Sequence, residues 1–329
     1  MSLVRAPTRL RAVVVAALAV AVCRCGSGDG DSSPPPLFAV LSAFPAELAP
    51  LIEQATVDET MVIEGRVFRV GALGGVPVVL GLTGIGLANA ALTTREVLER
   101  FAVTGVVFSG VAGSPLRIGD VAVPVAWATM DGTTYAAHQE WIGLAQEIAA
   151  PGMVSLERCT VVPASGEPVC LLHEPAVVVG GVGQSSDPFG DTPFPCQADG
   201  GDVFGCDVVS VENSEPSPAP SPASGAGEGS LGALQGTLAT ADPEAPIVDD
   251  METAAVAREA AARGIPFIAF RAVSDGAGDP LGLPGFPAQF FAYYRLAAHN
   301  AAAAAVAFLE RIAAATSVRA RAARSAIDG

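Results

Sequence analysis

Three carboxylates stand where apolar runs of the chain give out. Glu47 closes Ala43-Phe44-Pro45-Ala46-Glu47 after the run 37–42, Glu252 follows Ile247-Val248-Asp249-Asp250-Met251, and Asp275 follows the run 267–273 in Ser274-Asp275. In open α/β sheets ligands bind outside the carboxyl ends of strands, so three acids from distant parts of the chain are expected to face one cleft. Carboxyl groups placed in this way can act as general acid, as general base, and as partners for developing positive charge. Taken singly, each also suits a helix cap, the commoner role of Asp or Glu after a strand. Two glycine-rich segments, Thr83-Gly84-Ile85-Gly86 and Ser109-Gly110-Val111-Ala112-Gly113-Ser114, read as turns that end strands and let backbone approach a ligand closely.

Composition narrows the chemistry. The 329 residues include 18 basic and 34 acidic side chains, for a net charge of -16, and no stripe of cations that could follow a phosphate backbone, so nucleic acid is not an expected partner. Every cation is arginine. The absence of lysine excludes a GxxxxGK[ST] phosphate loop, Schiff-base or pyridoxal chemistry, and an SxxK acyl-transfer motif. His138, His173 and His299 do not have metal-ligand spacing, and no metal or other cofactor is expected.

The elements that must position these acids read as strand then helix, repeated. Runs at 37–42, 76–82, 105–108, 177–179 and 267–273 are apolar without alternation, which suits strands buried on both faces. Helical stretches are predicted at 87–101, at 252–263, where Gly264 and Pro266 end the helix, and from about 286 to 315. The expected fold is a single α/β domain, three-layer αβα, around a mixed, largely parallel twisted sheet. Residues 190–246 interrupt the pattern. Their stretch 214–230 is nearly all Ser, Pro, Ala, Gly and Glu and is expected to be a mobile surface loop.

At the N-terminus, Arg5, Arg9 and Arg11 precede the apolar run 12–22, which is shorter than the roughly 20 residues needed to span a bilayer. Residues 1–22 read as an export signal and 23–36 as a flexible tether, with Cys23 placed as in a lipid-modified protein. Val22 and Arg24 depart from that pattern. The expected location is outside the cytoplasm, periplasmic or on the outer surface, with membrane contact only through a lipid on Cys23. Four further cysteines, Cys159, Cys170, Cys196 and Cys206, suit an oxidising compartment. They allow three pairings. The nearest-neighbour one closes two short loops, Cys159 with Cys170 and Cys196 with Cys206.

Taken together, the segments 43–47, 83–86, 109–113, Asp250-Met251-Glu252-Thr253-Ala254-Ala255-Val256-Ala257 and Arg271-Ala272-Val273-Ser274-Asp275 resemble the nucleoside phosphorylase superfamily. Within it they look most like methylthioadenosine/S-adenosylhomocysteine nucleosidases. The likeness runs in order from about 38 to 309 and is interrupted by 190–246. It implies a nucleoside phosphorylase-like domain over 37–316 followed by a C-terminal tail over 317–329.

The resemblance also implies roles. Asp275, placed by Ser274, would protonate N7 of a departing purine. Glu252, with the Met251 backbone, would hold the ribose hydroxyls, and Glu47 would take a proton from the attacking water. Phe189 would stack on the base, Phe286 would line the ribose and its 5′ side, and Ile85, Ala112 and Gly113 would line the substrate. Phosphorolytic relatives carry an arginine just before the second glycine segment, where this chain has Val106-Val107-Phe108. Glu47 adds negative charge there, so water is expected over phosphate as the nucleophile. Asp275 rather than Asn implies a 6-aminopurine. The activity implied is an exported adenine-nucleoside hydrolase working as a homo-oligomer, a dimer by resemblance. The alternatives are a phosphate-using purine nucleoside phosphorylase and a non-catalytic nucleoside-binding or storage-like protein.

Overall fold

The computed structural model describes residues 36–190, 192–208 and 247–327, with side chains through Val318. The expected export signal, the tether up to residue 35, Cys23, and the low-complexity part of the insertion lie outside the described residues. The first half of the domain runs β1 (Leu37–Ser42), α1 (Pro45–Gln54), β2 (Thr56–Ile63), β3 (Arg66–Leu73), β4 (Val76–Leu82), α2 (Leu87–Arg100) and β5 (Val103–Arg117). Short elements follow: β6 (Val121–Val123), β7 (Ala126–Thr129), β8 (Thr134–Ala136), α3 (Gln139–Ile148), β9 (Cys159–Val161), β10 (Pro168–Cys170), β11 (Val177–Val179), β12 (Val182–Ser185) and α4 (Gly201–Phe204). The chain ends with β13 (Val248–Asp250), α5 (Thr253–Ala261), β14 (Phe267–Ala277) and α6 (Ala288–Ile327).

One mixed sheet carries the order β2-β3-β4-β1-β5-β13-β12-β7-β8, with β14 joining β5 to β6 and β11 beside β6. Its centre is parallel: β4, β1, β5 and β14 run side by side in the same direction. These strands are buried on both faces, as their unbroken apolar runs require, with Val40, Leu41, Val107, Phe108 and Phe270 in the core. Each such side chain stabilises the fold by about 1.5–3 kcal/mol through burial. On the outer edge β2 and β3 form an antiparallel hairpin whose turn residues, Glu64 and Gly65, both have positive φ. The pairing of β9 with β10 is closed by Cys159–Cys170, and Cys196–Cys206 closes the start of the insertion, so both nearest-neighbour disulfides are present.

The second glycine segment does not end a strand. Residues 109–113 lie inside β5, which continues to Arg117, and β14 likewise runs past Asp275 to Ala277 with register shifts on either side of that residue. Glycine is needed there for close approach rather than for a turn. A Cβ on Gly110 would collide with Glu47 and Arg271, and one on Gly113 would lie 2.8 Å from Asp275 Oδ2.

Along one edge β5 pairs with β1 as far as Phe108 and with β13 only at Gly113. The edge between them is a gap where two strands diverge, the kind of opening that holds ligands in α/β folds.

The helix α6 also differs from expectation, because no tail begins at 317. The stretch 316–327 contains neither Gly nor Pro and is rich in Ala and Arg, which favour continued helix. Between Ala288 and Val318 this helix is long and apolar enough to cross a membrane. Instead it buries Ala297, Ala301, Ala305 and Phe308 in the core, Phe308 lying 5.3 Å from Phe270 of β14.

Candidate active site

The gap beside β5 is filled by a carboxylate. Pro45 starts α1 with the fixed φ a helix needs, which puts Glu47 in its first turn. The Glu47 side chain folds back so that Oε2 accepts the Ala43 N–H at 2.7 Å, while Oε1 accepts the Val111 N–H of β5 at 2.7 Å. No water-exposed surface remains on it. Burial pushes the Glu47 carboxyl above its ordinary pKa, and Arg271 together with the two N–H donors pulls it partly back.

Arg271 is the centre of this arrangement. It points from β14 into the core with 1% of its surface exposed, its guanidinium 5.0 Å from the Phe108 ring centroid. Its Nη2 donates to Glu252 Oε2 at 3.3 Å, its Nε lies 3.0 Å from Asp250 Oδ2, and its Nη1 lies 3.9 Å from Glu47 Oε1. Only the first has hydrogen-bonding geometry; Nε and Nη1 make ion pairs off the donor direction. One buried cation thus faces three buried carboxylates, whose mutual repulsion adds to burial in raising the pKa values of Glu47 and Glu252. The Glu252 pKa is pushed to about 8, first by burial, against the pull of Arg271 and with Asp250 and Glu47 adding repulsion.

Backbone donors fix the rest of this cluster around Arg271. Gly86 N–H donates to Glu252 Oε1 at 2.9 Å. Asp250 accepts the N–H groups of Glu252 and Thr253 and the hydroxyls of Ser185 and Thr253, so it caps α5. Met251, partly buried, connects the two acids.

Asp275 lies on the other side of β5 from the gap, where both Asp275 and Asp249 register with Gly113 from opposite edges. Ser274 donates its hydroxyl to Asp275 Oδ1 at 2.7 Å and also reaches Ala112 O at 3.4 Å. Desolvation raises the Asp275 pKa, with only the Ser274 bond opposing it. Asp249 is raised too, by burial first and then by Asp250, with Asp275 contributing. The bulge that carries Asp275 places it opposite Gly113, two residues along β5 from Val111 and so about 7 Å at strand rise from the Glu47 contact. Glu47 and Asp275 therefore meet β5 at Val111 and Gly113, and Glu252 joins Glu47 through Arg271.

The remaining predicted residues divide. Ile85 and Gly84 stand beside Ala43 in the wall of a small cavity. The Phe189 ring packs over Gly86 and stacks on Phe194 at 4.5 Å between centroids, which leaves only its other face for a base. Phe286 is 69% exposed and touches the site only through Phe290, which packs edge-on against Phe44.

Sequence reasoning passes over Arg271, Asp250, Asp187 and Phe194. Arg271 carries a visible signal, since a charge inside the apolar run 267–273 must be paired when that run is buried. Asp187 sits at the N-terminus of α2, its Oδ2 accepting Leu87 N–H at 2.6 Å and its Oδ1 accepting Phe189 N–H at 2.6 Å. Nothing local marks it, because the helix it serves begins 100 residues earlier.

Comparison with known proteins agrees with this fold. The model of the phosphorylase superfamily matches residues 37–310. A Mycobacterium tuberculosis protein of uncharacterized function is 34% identical over 197 residues, which is 52% of this chain and 76% of that one. The 5′-methylthioadenosine/S-adenosylhomocysteine nucleosidase of Shewanella denitrificans is 28% identical over 276 residues, 83% of this chain and 98% of the nucleosidase. The crystal structure of the Neisseria meningitidis nucleosidase of the same name, in complex with methylthio-immucillin-A, shares the fold with a TM-score of 0.55 at 20% identity, over 84% of this chain and 99% of that one. With its domain matched from the first strand into the last helix, the chain belongs to the phosphorylase superfamily.

Proposed function

We propose that the protein hydrolyses the N-ribosidic bond of purine nucleosides, specifically adenine nucleosides of the methylthioadenosine and S-adenosylhomocysteine type, releasing free base and the ribose moiety. Cleavage passes through a sugar with developing positive charge and a purine leaving as an anion unless protonated. Asp275, its pKa raised by burial, supplies the proton to N7, and Ser274 sets the carboxyl orientation. Glu252 and the Met251 backbone hold the ribose hydroxyls, while the surplus negative charge around Arg271 stabilises the cationic sugar. Glu47 accepts a proton from water on the face opposite the base, and its raised pKa makes it a stronger base than an exposed glutamate.

The observation that carries hydrolysis over phosphorolysis is that protein carboxylates occupy the places an anion would take. The N-terminus of α2 is a ready anion site, yet the Gly86 N–H is held by Glu252 and the Leu87 N–H by Asp187. Arg271, the cation paired with the site's acids among the described residues, is enclosed by Glu47, Asp250 and Glu252. A phosphate entering beside them would meet repulsion with no free counter-charge.

Export, periplasmic or surface location, a lipid on Cys23 and assembly as a dimer belong to the same proposal and rest on the N-terminal pattern, the disulfides and the family resemblance. The test is release of free base from methylthioadenosine, S-adenosylhomocysteine, adenosine and inosine, with and without phosphate. Base released from the adenine nucleosides without phosphate is expected. Release that requires phosphate overturns the role of Glu47, and binding with no release of base favours a storage-like protein.

A further inference from the structure

Asp249 and Asp250 are neighbours in β13, and successive strand residues send their side chains to opposite faces. Asp250 faces Arg271 and caps α5. Asp249 takes the other face. It stands opposite Gly113 of β5, and directly opposed residues of an antiparallel pair share a face. Asp275 reaches that face from the far edge of β5. Val273 registers with Ala112 and Asp275 with Gly113, so Ser274 is the extra residue of a bulge, a device that re-aims a side chain. The Asp275 carboxyl leans over the glycine, since a Cβ on Gly113 would lie 2.8 Å from its Oδ2. That lean brings it to about one strand spacing, roughly 5 Å, from the strand that carries Asp249.

The cluster around Arg271 has a cation, and this pair does not. Among the described residues neither acid has an arginine partner: Asp249 has the Ser186 hydroxyl at 3.3 Å, and Asp275 has the Ser274 hydroxyl at 2.7 Å. From β12 the residue in register with Asp249 is Gln184, which is neutral, and from β5 it is Gly113. Arg117 stands further along β5, opposite Ala277, and is engaged by Asp120. Asp250 repels Asp249 from the opposite face. Both acids are raised above their ordinary pKa, by burial first in each case. The repulsion between them is felt by Asp249, but like-charge repulsion is mutual. The last proton therefore leaves the pair at a higher pH than it would leave either acid standing alone in the same place. Asp249 is the exposed member and meets water, whereas Asp275 is partly covered.

Resting on the nucleosidase reading above, in which Asp275 protonates the departing base, we infer that Asp249 is a positioning residue for that step: the two carboxyls hold one proton between them, and Asp249 keeps Asp275 supplied with the proton it donates. As the bond between C1′ and the base breaks, its electron pair goes to the base and the pair's proton goes to N7. The proton that Glu47 takes from the attacking water returns to solvent, and one from solvent restores the pair through Asp249, so no further reactant is needed. Gly113 is what allows the arrangement, because any side chain there would stand between the two carboxyls.

The test follows the aspartate carboxyls by NMR in protein labelled at the carboxyl carbon and, in parallel, base release from methylthioadenosine against pH. The Asp275 signal is identified by its loss in Asp275→Asn. Asp249→Asn keeps an oxygen for the Ser186 hydroxyl and removes the charge. In that variant the Asp275 midpoint is expected to fall by about one pH unit. The alkaline limb of kcat/KM should move down with it. Asp249→Glu keeps the carboxyl and should restore most of the shift. Asp58→Asn removes the same charge from the exposed edge strand β2 and should leave both readings in place. Glu252, pushed to about 8, also titrates in this range, so the difference between variants reads the pair rather than the native limb itself. An Asp275 midpoint that Asp249→Asn does not move overturns the inference, as does an equal shift in Asp58→Asn. If base is released while the midpoint stays, the pair falls and the hydrolase reading stands. If no base is released but the midpoint falls, the proton-sharing pair stands and the hydrolase reading falls.

Discussion

The two ends of the cleft solve the same problem, a carboxyl group in a dry place, in opposite ways. At the end around Arg271, which the proposed function assigns to the sugar, Glu47, Asp250 and Glu252 are all at least nine-tenths buried, and their cost is met by Arg271, backbone N–H groups and hydroxyls. At the other end, which the same proposal assigns to the base, Asp275 is only partly covered and has one hydrogen bond, from the neighbouring Ser274. The first end is a network in which each acid is fixed by several partners, Glu47 included. The second leaves a carboxyl free to exchange its proton. A group that must position the sugar gains from rigidity, whereas an acid that donates and recovers a proton needs a raised pKa and few competing donors.

If that contrast is right, the largest effect belongs to the residue that holds the sugar end together. Arg271→Met removes the one cation facing three buried acids. Breaking a buried charge cluster from one side costs about 3–5 kcal/mol, because the remaining charges stay buried without a partner. Denaturant unfolding should show a loss of that order, or the variant should fail to accumulate as folded protein. A variant as stable as the native chain would mean that the three acids need no counter-charge from Arg271.

Next in size are the reacting groups, and here the two ends should separate by kinetics. On the proposed roles Glu47→Gln removes the base and is expected to lower kcat by about 10²–10⁴-fold, and Asp275→Asn removes the acid at a cost of about 10²-fold or more. The ends differ in what else changes. The amide introduced by Glu47→Gln has a single accepting oxygen for the two N–H groups, of Ala43 and Val111, that now reach separate oxygens of Glu47. That substitution should therefore also lower stability by about 1–3 kcal/mol. The amide introduced by Asp275→Asn keeps an oxygen for the Ser274 hydroxyl, so activity should fall with stability nearly intact. Equal destabilisation by the two substitutions would erase the distinction between framework and proton donor.

Much of this arrangement is legible in the chain. Unbroken apolar runs mark β1, β4 and β14 as doubly buried strands, and strand direction in a parallel sheet carries the acids that follow β1 and β14 to one side. Local pattern misleads where tertiary contact overrides it. Gly110 and Gly113 look like turn residues, yet they are strand residues kept small by Glu47, Arg271 and Asp275 pressing against them from other elements. The β2–β3 hairpin leaves a usable signal in Glu64-Gly65 that apolar runs alone do not reveal, since positive φ at both turn positions matches the twist of a tight hairpin. For the loop 192–208 the sequence marks only a segment tied by Cys196 and Cys206; where it docks depends on Asn89, Arg69 and Arg295, far away in the chain.

The smallest effect expected is one of pH, and it is read as the stability of the end around Arg271. Glu252 has a pKa of about 8 in the folded protein against an ordinary 4.5 in the unfolded chain. Between those values the native state keeps a proton that the unfolded state has released. Stability should therefore be greatest below the unfolded value and decline as pH rises toward 8, flattening once Glu252 has ionised in both states. One proton corresponds to a slope of at most about 1.4 kcal/mol per pH unit. Glu47 and Asp275 are raised as well and push in the same direction, so Glu252→Gln should reduce the slope without abolishing it. Denaturant midpoints followed from about pH 6 to about pH 9, for the native chain and this variant, decide the matter. Parallel curves would show that the retained proton belongs elsewhere in the cluster. A stability that rises with pH would show that Arg271 holds all three carboxylates ionised, and the sugar end would then be an ordinary salt-bridge network.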